Sequence, residues 1–429
     1  MKIVKYPKRK DWEELLIRPV QDFKAIQKIV KPIIKKVKKK GDKAMRKFAL
    51  EYDHVELNNL LVTKEEIIQA EKEISPELKQ AIDMARINIE KFHAAQFVPE
   101  LVVETMPGVI CKRKAVPISK VGLYIPGGTA PLFSTVLMLG IPAKLAGCQE
   151  IVVVTPCDHQ GKISPAVLYT ANLIGIEKIV KAGGAQAIAA LAYGTETIPR
   201  VDKIFGPGNQ FVTTAKQIIS QYGIAIDMPA GPSEVAIIAD GTAVPAFVAA
   251  DLLSQAEHGP DSQVILITTQ EKLIDEVQKE IQHRLENLPR KDHAKRSLEN
   301  SRAILVHTMS EAVDLVNEYA AEHLIIATSD AEIMADQIIN AGSVFIGNFS
   351  PESAGDYASG TNHVLPTNGY AKAFSGVSID SFVKKITFQQ LTPEGLLTIG
   401  PGIEQMADAE QLIAHKDAIT VRLNYLQQY

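Results

Sequence analysis

The residues able to do chemistry fall in four polar segments of the second half of the chain. DLLSQAEHGPDSQ (251–263) carries Gln255 and His258, three apart and therefore on one helical face, with Gly259 suited to stop the helix. EYAAEHLII (318–326) places Glu322 beside His323 at the mouth of a strand. SAGDYASGTNHVLPT (353–367) is a glycine-containing polar loop with Asp356 and His363, and ADAEQLIAHKDA (407–418) puts Glu410 and His415 on a terminal helix. Together Gln255, His258, Asp356 and His415 form an oxygen and nitrogen donor set that suits zinc with open positions, glutamine being the unusual member. Each histidine alone reads more readily as a surface or capped residue than as a ligand. Their segments are distant, so spacing does not show that they meet.

Glu322 and His323 read as an acid–base pair. Adjacent residues do not share a face inside a helix or strand, so the pair belongs at an element's end. Histidine, with a reference pKa of ~6.5, can take a hydroxyl proton near neutrality, and a neighbouring carboxylate can activate water. A capping role for Glu322 fits the sequence equally well.

Two series of strands must position these groups. The first ~100 residues read as helical, with turns of charged and apolar residues such as KEEIIQAEKEI. The Lys-rich stretch 31–47 contains Ile33, Ile34, Val37 and Met45, and is read as one amphipathic helix broken near Gly41 rather than as a basic patch. From residue 110, β-branched runs end in Gly or Pro and lead into Ala-rich helical stretches: VGLYIPGG (121–128), EIVVVTP (150–156), KIVKAGG (178–184) and KIFGPGN (203–209). A second series follows with EVAIIAD (234–240), SQVILITT (262–269), RAILVHT (302–308), HLIIATS (323–329) and SVFIGN (343–348). Their spacing is that of βαβ units, which predicts two parallel sheets. After Ser375 come one strand candidate, SFVKKITFQQL, a turn-rich link and a terminal helix.

In such sheets ligands bind beyond the carboxyl ends of the strands. The loops YIPGG (124–128), AGGAQ (182–186) and FGPGN (205–209) end strands of the first series, and Tyr124, Gln186 and Asn209 add polar tips to them. Glycine admits a phosphate close to the backbone, and the helix that follows offers free N–H groups. The fingerprint GxGxxG is absent, so the loops suit a nucleotide without selecting one, and each alone reads as a tight turn.

Bulk properties narrow the class. At 429 residues the chain suits two or three domains. A net charge of -4 gives no electrostatic case for nucleic acid or membrane partners. No apolar run reaches the ~20 residues of a membrane helix, and the N-terminus lacks the apolar core of a signal peptide. Cys111, Cys148 and Cys157 are too few for a disulfide framework, and a cytoplasmic location is expected. Cys148 and Cys157 flank a strand and could serve a thiohemiacetal route, but are read as small core residues.

The motifs VGLYIPGG, FGPGNQFV, MPAGPSEV, ADLLSQAEHGPDSQ, AAEHL, GDYASGTNHVLPT and AEQLIAHKDA closely resemble those of the histidinol dehydrogenase family, over nearly the whole chain. The resemblance implies an α/β fold of two Rossmann-like parallel-sheet halves, an N-terminal helical segment and a C-terminal helical tail. It goes with a division into 1–120 packing with 235–375, a cofactor domain 121–234, and a dimer-forming tail 376–429. It implies one zinc per site on Gln255, His258, Asp356 and His415, and NAD contacts at Tyr124, Gln186 and Asn209. Glu322 and His323 match the acid–base pair. Ser233, His323, His363 and Glu410 match substrate contacts, beside the zinc ligands Gln255, His258, Asp356 and His415. The implied reaction takes L-histidinol through its aldehyde to L-histidine, in a homodimer whose tail completes the partner's site. Thr361 stands where proline is expected, between an intact Asp356 and His363. The alternatives are a same-fold dehydrogenase for another small alcohol such as a sulfonated diol, a zinc hydrolase, and a metabolite-binding protein. A carboxylate at Glu410 suits a cationic amine and repels a sulfonate.

Overall fold

The structure is a computed structural model that describes residues 1–19, 23–127 and 131–428, so Gly128 of the YIPGG loop lies outside the described residues. Its strands are β1 (Lys2–Lys5), β2 (Leu101–Met106), β3 (Val109–Pro117), β4 (Lys120–Tyr124), β5 (Glu150–Thr155), β6 (Lys178–Lys181), β7 (Lys203–Phe205), β8 (Ala225–Ile226), β9 (Glu234–Ala239), β10 (Gln263–Thr268), β11 (Arg302–Leu305), β12 (His323–Ala327), β13 (Ser343–Ile346) and β14 (Val383–Leu391). The nine runs expected as two strand series are all strands. They form two parallel sheets, one ordered β6-β5-β4-β7-β8 and the other β1-β11-β10-β9-β12-β13. Each sheet runs outward from a central strand and then restarts on that strand's other side. The reversals fall between β4 and β7 and between β9 and β12.

The two sheets and their helices make one compact unit, Met1–Gln96 with Ile118–Phe382. The long helix Phe23–Tyr52 packs on the first sheet, whereas Pro76–Ala94 packs on the helix Phe133–Ala146 and also meets the 235–375 half, its Asn88 donating to the Ala358 carbonyl oxygen. Val30, Val37, Met45 and Phe48 share a core with Val152, Val154 and Ile188. The extreme N-terminus joins the second half: β1 pairs with β11, and Trp12 and Leu16 enter the core with Ile238 and Leu324. The apolar stripe of the helix Phe23–Tyr52 faces inward, and Gly41 interrupts it at φ 48°. Among the described residues no helix is long and apolar enough to cross a membrane.

The second unit holds residues 97–117 and the chain from Val383 onward. It is an antiparallel sheet, β14-β3-β2, followed by the helices Pro393–Ala409 and Ile413–Gln428. The β2–β3 hairpin was not expected, because its strands bury almost nothing and show no inward face.

Candidate active site

Strand order, not sequence spacing, assembles the polar residues. β9 and β12 lie side by side although about 90 residues apart, with His323 in register with Val235. Glu322 therefore sits opposite Glu234, whose N–H donates to its Oε2 at 2.9 Å. A left-handed cap at Ala320 (φ 55°) turns the preceding helix sharply into β12. Gly342 lies so close that a β-carbon there would meet the Glu322 carbonyl oxygen at 2.5 Å. The pair thus stands at the amino edge of the second sheet, the opposite edge from the one the strand-end rule favours.

Around this pair converge Ser233, Gln255, His258, Asp356 and His363. The helix Pro245–Ala256 runs back from the far end of β9 and delivers Gln255, fully buried, to the same edge. His258 lies two residues beyond the helix end, not within its face as expected, and its Nδ1 is 3.4 Å from Ser233 Oγ. Asp356 lies on a short helix, Glu352–Tyr357, rather than in a loop. Its Oδ1 is 3.3 Å from His323 Nε2, a nitrogen that is buried without a hydrogen-bond partner. His363 Nδ1 contacts the Asp356 carbonyl oxygen at 2.9 Å.

Two buried acids that the sequence reading missed complete the surroundings. Glu234 pairs with Arg18, and Glu352 accepts from Ser254 Oγ at 3.1 Å. With its amide turned over, Gln255 donates to Glu352 and accepts from the Glu234 N–H. The only sequence signal was a charge opening an apolar run, in PSEVAIIA, and one opening a helix, in SPESAG.

Electrostatics follow from burial. Desolvation raises Glu322 to about 7, helped by Glu234 and Asp356, so its carboxyl can hold or release a proton near neutrality. Burial lowers His323, but Glu322, Asp356 and Glu352 outweigh it and hold the imidazole at about 10. Desolvation keeps His258 and His363 below the ordinary histidine value, as neutral imidazoles. Asp356 is held below the usual carboxylate range: burial opposes this, but the protonated His323 beside it prevails.

This donor set fits a divalent cation. It offers a neutral imidazole at His258, a carboxylate at Asp356 and a buried amide at Gln255, in a patch with excess negative charge. A cation on Asp356 would also offset the charge that keeps His323 protonated. Among the described residues no group of three His, Cys, Asp or Glu side chains is placed to hold a metal. Glu410 and His415 belong to the second unit and are exposed. The single terminal helix expected to carry both is broken between them at Gln411 (φ 61°).

The three glycine loops lie at the carboxyl edge of the first sheet. Gly206, at φ 121°, passes so near Tyr124 that a β-carbon would meet the Tyr124 carbonyl oxygen at 2.1 Å. Tyr124 is buried, and its hydroxyl accepts from the Gly184 N–H at 3.2 Å. Burial pushes its pKa up to about 12. Gln186 is buried in the first turn of the helix after β6. Asn209 caps the helix Gln210–Ser220, its Oδ1 accepting from the N–H groups of Phe211 and Val212. Loops this tight at a strand-order reversal form a cradle suited to a dinucleotide.

Two parallel α/β halves, with a buried Glu–His pair at the edge of one and tight glycine loops at the edge of the other, have the architecture of an α/β enzyme. The sequence model of the histidinol dehydrogenase family matches residues 16–423. The chain is 60% identical over 427 residues to histidinol dehydrogenase of Bacteroides thetaiotaomicron, covering 100% of both chains. It is 52% identical over 415 residues to that of Yersinia pestis, covering 96% of this chain and 93% of the relative. The crystal structure of histidinol dehydrogenase from Elizabethkingia anophelis superposes with a TM-score of 0.97 at 56% identity, over 100% of this chain and 99% of that one. The chain belongs to the histidinol dehydrogenase family and is an oxidoreductase.

Proposed function

We propose that the enzyme oxidises L-histidinol through L-histidinaldehyde to L-histidine, the last steps of histidine biosynthesis, using NAD and one zinc per site. The observation that carries this reading is the buried Glu322–His323 pair flanked by Gln255, His258 and Asp356. Zinc held by Gln255, His258, Asp356 and His415 would supply a fixed positive centre that orients the substrate's nitrogen atoms. NAD, held at Tyr124, Gln186 and Asn209, would accept the hydride of each oxidation.

The chain's own groups do the rest. With the charge of Asp356 offset by the cation, His323 is neutral and takes the alcohol proton at its Nε2, the buried nitrogen 3.3 Å from Asp356. Glu322, near its midpoint at neutral pH, takes a proton from the water that adds to the aldehyde. His323, having released its first proton to solvent, then accepts the hydroxyl proton of the hydrate. Ser233, His363 and Glu410 bind the substrate, the carboxylate facing its amine. Enclosure of the pair keeps the aldehyde from release between steps.

The second unit exposes Val102, Val103, Ile386, Phe388, Met406 and Ile413, an apolar surface that suits a homodimer. In that dimer the tail of one subunit would bring His415 and Glu410 to the site of the other. The test is NADH absorbance on mixing protein, zinc, NAD and histidinol, with histidine as product. Turnover of a sulfonated diol but not of histidinol would overturn the substrate, and ester or amide hydrolysis without NADH would overturn the reaction class.

A further inference from the structure

Lysine is rarely buried on the inward face of a helix. Lys216 is. It lies on the helix Gln210–Ser220, on the face of the buried Val212 and Ile219, and its side chain is 5% exposed. It is ion-paired with Asp227, whose side chain is 2% exposed. Neither group has a part in the chemistry described above. Burying such a pair costs desolvation that its attraction scarcely repays, so stability is a weak reason for it.

Both groups close on one peptide. Lys216 Nζ donates to the Gly206 carbonyl oxygen at 2.9 Å, and the Gly206 N–H donates to Asp227 Oδ2 at 2.8 Å. Asp227 Oδ1 faces Lys216 and accepts from the Met228 N–H at 2.8 Å. Lys203 also feels the Asp227 charge, but its Nζ is engaged on the Ser381 carbonyl oxygen at 2.8 Å. Gly206 follows β7 directly at φ 121°, and a β-carbon on it would overlap the Tyr124 carbonyl oxygen. With no side chain to pack, it is held through its backbone polar groups.

Two functional segments hang from this clamp. Gly206 lies in the FGPGN loop, and Asn209, three residues on, caps the helix that carries Lys216. Strand, loop and helix thus form a closed ring. Asp227 opens the segment that leaves the first sheet for β9. Six residues on stands Ser233, whose Oγ is 3.4 Å from His258 Nδ1. Between them the Gly231 N–H donates to Thr367 Oγ1, in the segment that also bears His363.

We propose that Lys216 and Asp227 are positioning residues: by fixing the Gly206 peptide they hold the cofactor loop in register with the segment that bears Ser233, so that bound NAD meets the substrate at hydride-transfer distance. The assignment rests on the dehydrogenase reading above. A misplacement of about 1 Å between reacting groups costs about a hundred-fold in rate. Glu322, His323, Gln255 and Asp356 lie on other segments and keep their geometry when the clamp is released.

The test measures NADH formation by the full-length, zinc-loaded protein with NAD and histidinol varied in turn, beside zinc content and melting temperature. Kinetics are read well below each variant's melting temperature. Lys216→Met keeps the stem and removes the ammonium group. The KM for NAD rises about ten-fold and kcat falls about ten-fold or more, while zinc content and the KM for histidinol hold. This variant leaves Asp227 uncompensated in a buried site and melts earlier. The double variant Lys216→Met with Asp227→Asn removes both charges and recovers melting temperature, and it carries the test where the single variant does not fold. Its KM for NAD and its kcat stay impaired, because nothing donates to the Gly206 carbonyl oxygen. A double variant that regains wild-type kinetics together with stability gives the pair a structural role and overturns the proposal. So does a loss confined to zinc content or to the KM for histidinol. A wild-type protein that reduces no NAD with histidinol overturns the dehydrogenase reading and this assignment with it.

Discussion

Thr135 Oγ1 lies 3.0 Å from Nε2 of His363, and this contact joins the first α/β half to the buried polar cluster of the second. Nδ1 of the same ring faces the Asp356 carbonyl oxygen, which can only accept, so Nδ1 carries the proton and Nε2 accepts from the threonine hydroxyl. The ring is neutral, in keeping with its lowered pKa. His363 is thereby fixed in orientation from both sides.

Thr135→Val removes the donor and keeps the shape. The ring loses one hydrogen bond of about 1 kcal/mol. Steady-state kinetics should show a KM for histidinol raised about five-fold, with the melting temperature nearly unchanged. An unaltered KM would show that the ring does not need this anchor.

Glu322→Gln keeps the side chain's size and removes its basicity. Aldehyde oxidation should slow about a hundred-fold, the scale of general base catalysis, and alcohol oxidation less. Single-turnover runs begun from histidinol and from histidinal separate the two steps. Equal losses in both would contradict the assignment of water activation to Glu322.

Arg18 donates to both carboxylate oxygens of Glu234 and to the Tyr319 carbonyl oxygen, with its guanidinium 4.0 Å from the Tyr319 ring centroid. Arg18→Ala strands Glu234 in a nearly water-free site and should cost about 3–5 kcal/mol in denaturant unfolding. Adding Glu234→Gln should restore part of the loss. A single variant as stable as wild type would show that the pair has no structural role.

Burial raises the thiols of Cys148 and Cys157 to about 11. At pH 7 only about one in ten thousand of each is thiolate, and the fraction grows about ten-fold per pH unit up to that value. Alkylation should therefore be slow at neutrality and accelerate with rising pH. Replacing both with serine should leave both oxidations intact. A double variant that halts at the aldehyde would establish the thiohemiacetal route.

Local chemistry accounts for what was legible in the chain. The runs EVAIIA and HLIIA are short, rich in β-branched residues and apolar on both faces, which reads as buried parallel strands. The break at Gly41 and the inward stripe of its helix were legible for the same reason, since period and punctuation are local properties. The strand Lys2–Lys5 and the hairpin 101–117 were not, because an edge strand or an unburied ribbon carries no one-sided apolar pattern.

Glu322 and His323 were marked as a pair by adjacency at a strand mouth, and that required no fold. Their partners Glu234 and Glu352 were set only in three dimensions. Pairing of β9 with β12 brings Glu234 to Glu322 across about 90 residues of chain, and packing of the Glu352–Tyr357 helix brings Asp356 to His323. Spacing determined which residues could do chemistry. Strand order and burial decided which of them meet, because desolvation and charge coupling act across space and leave no mark on sequence distance.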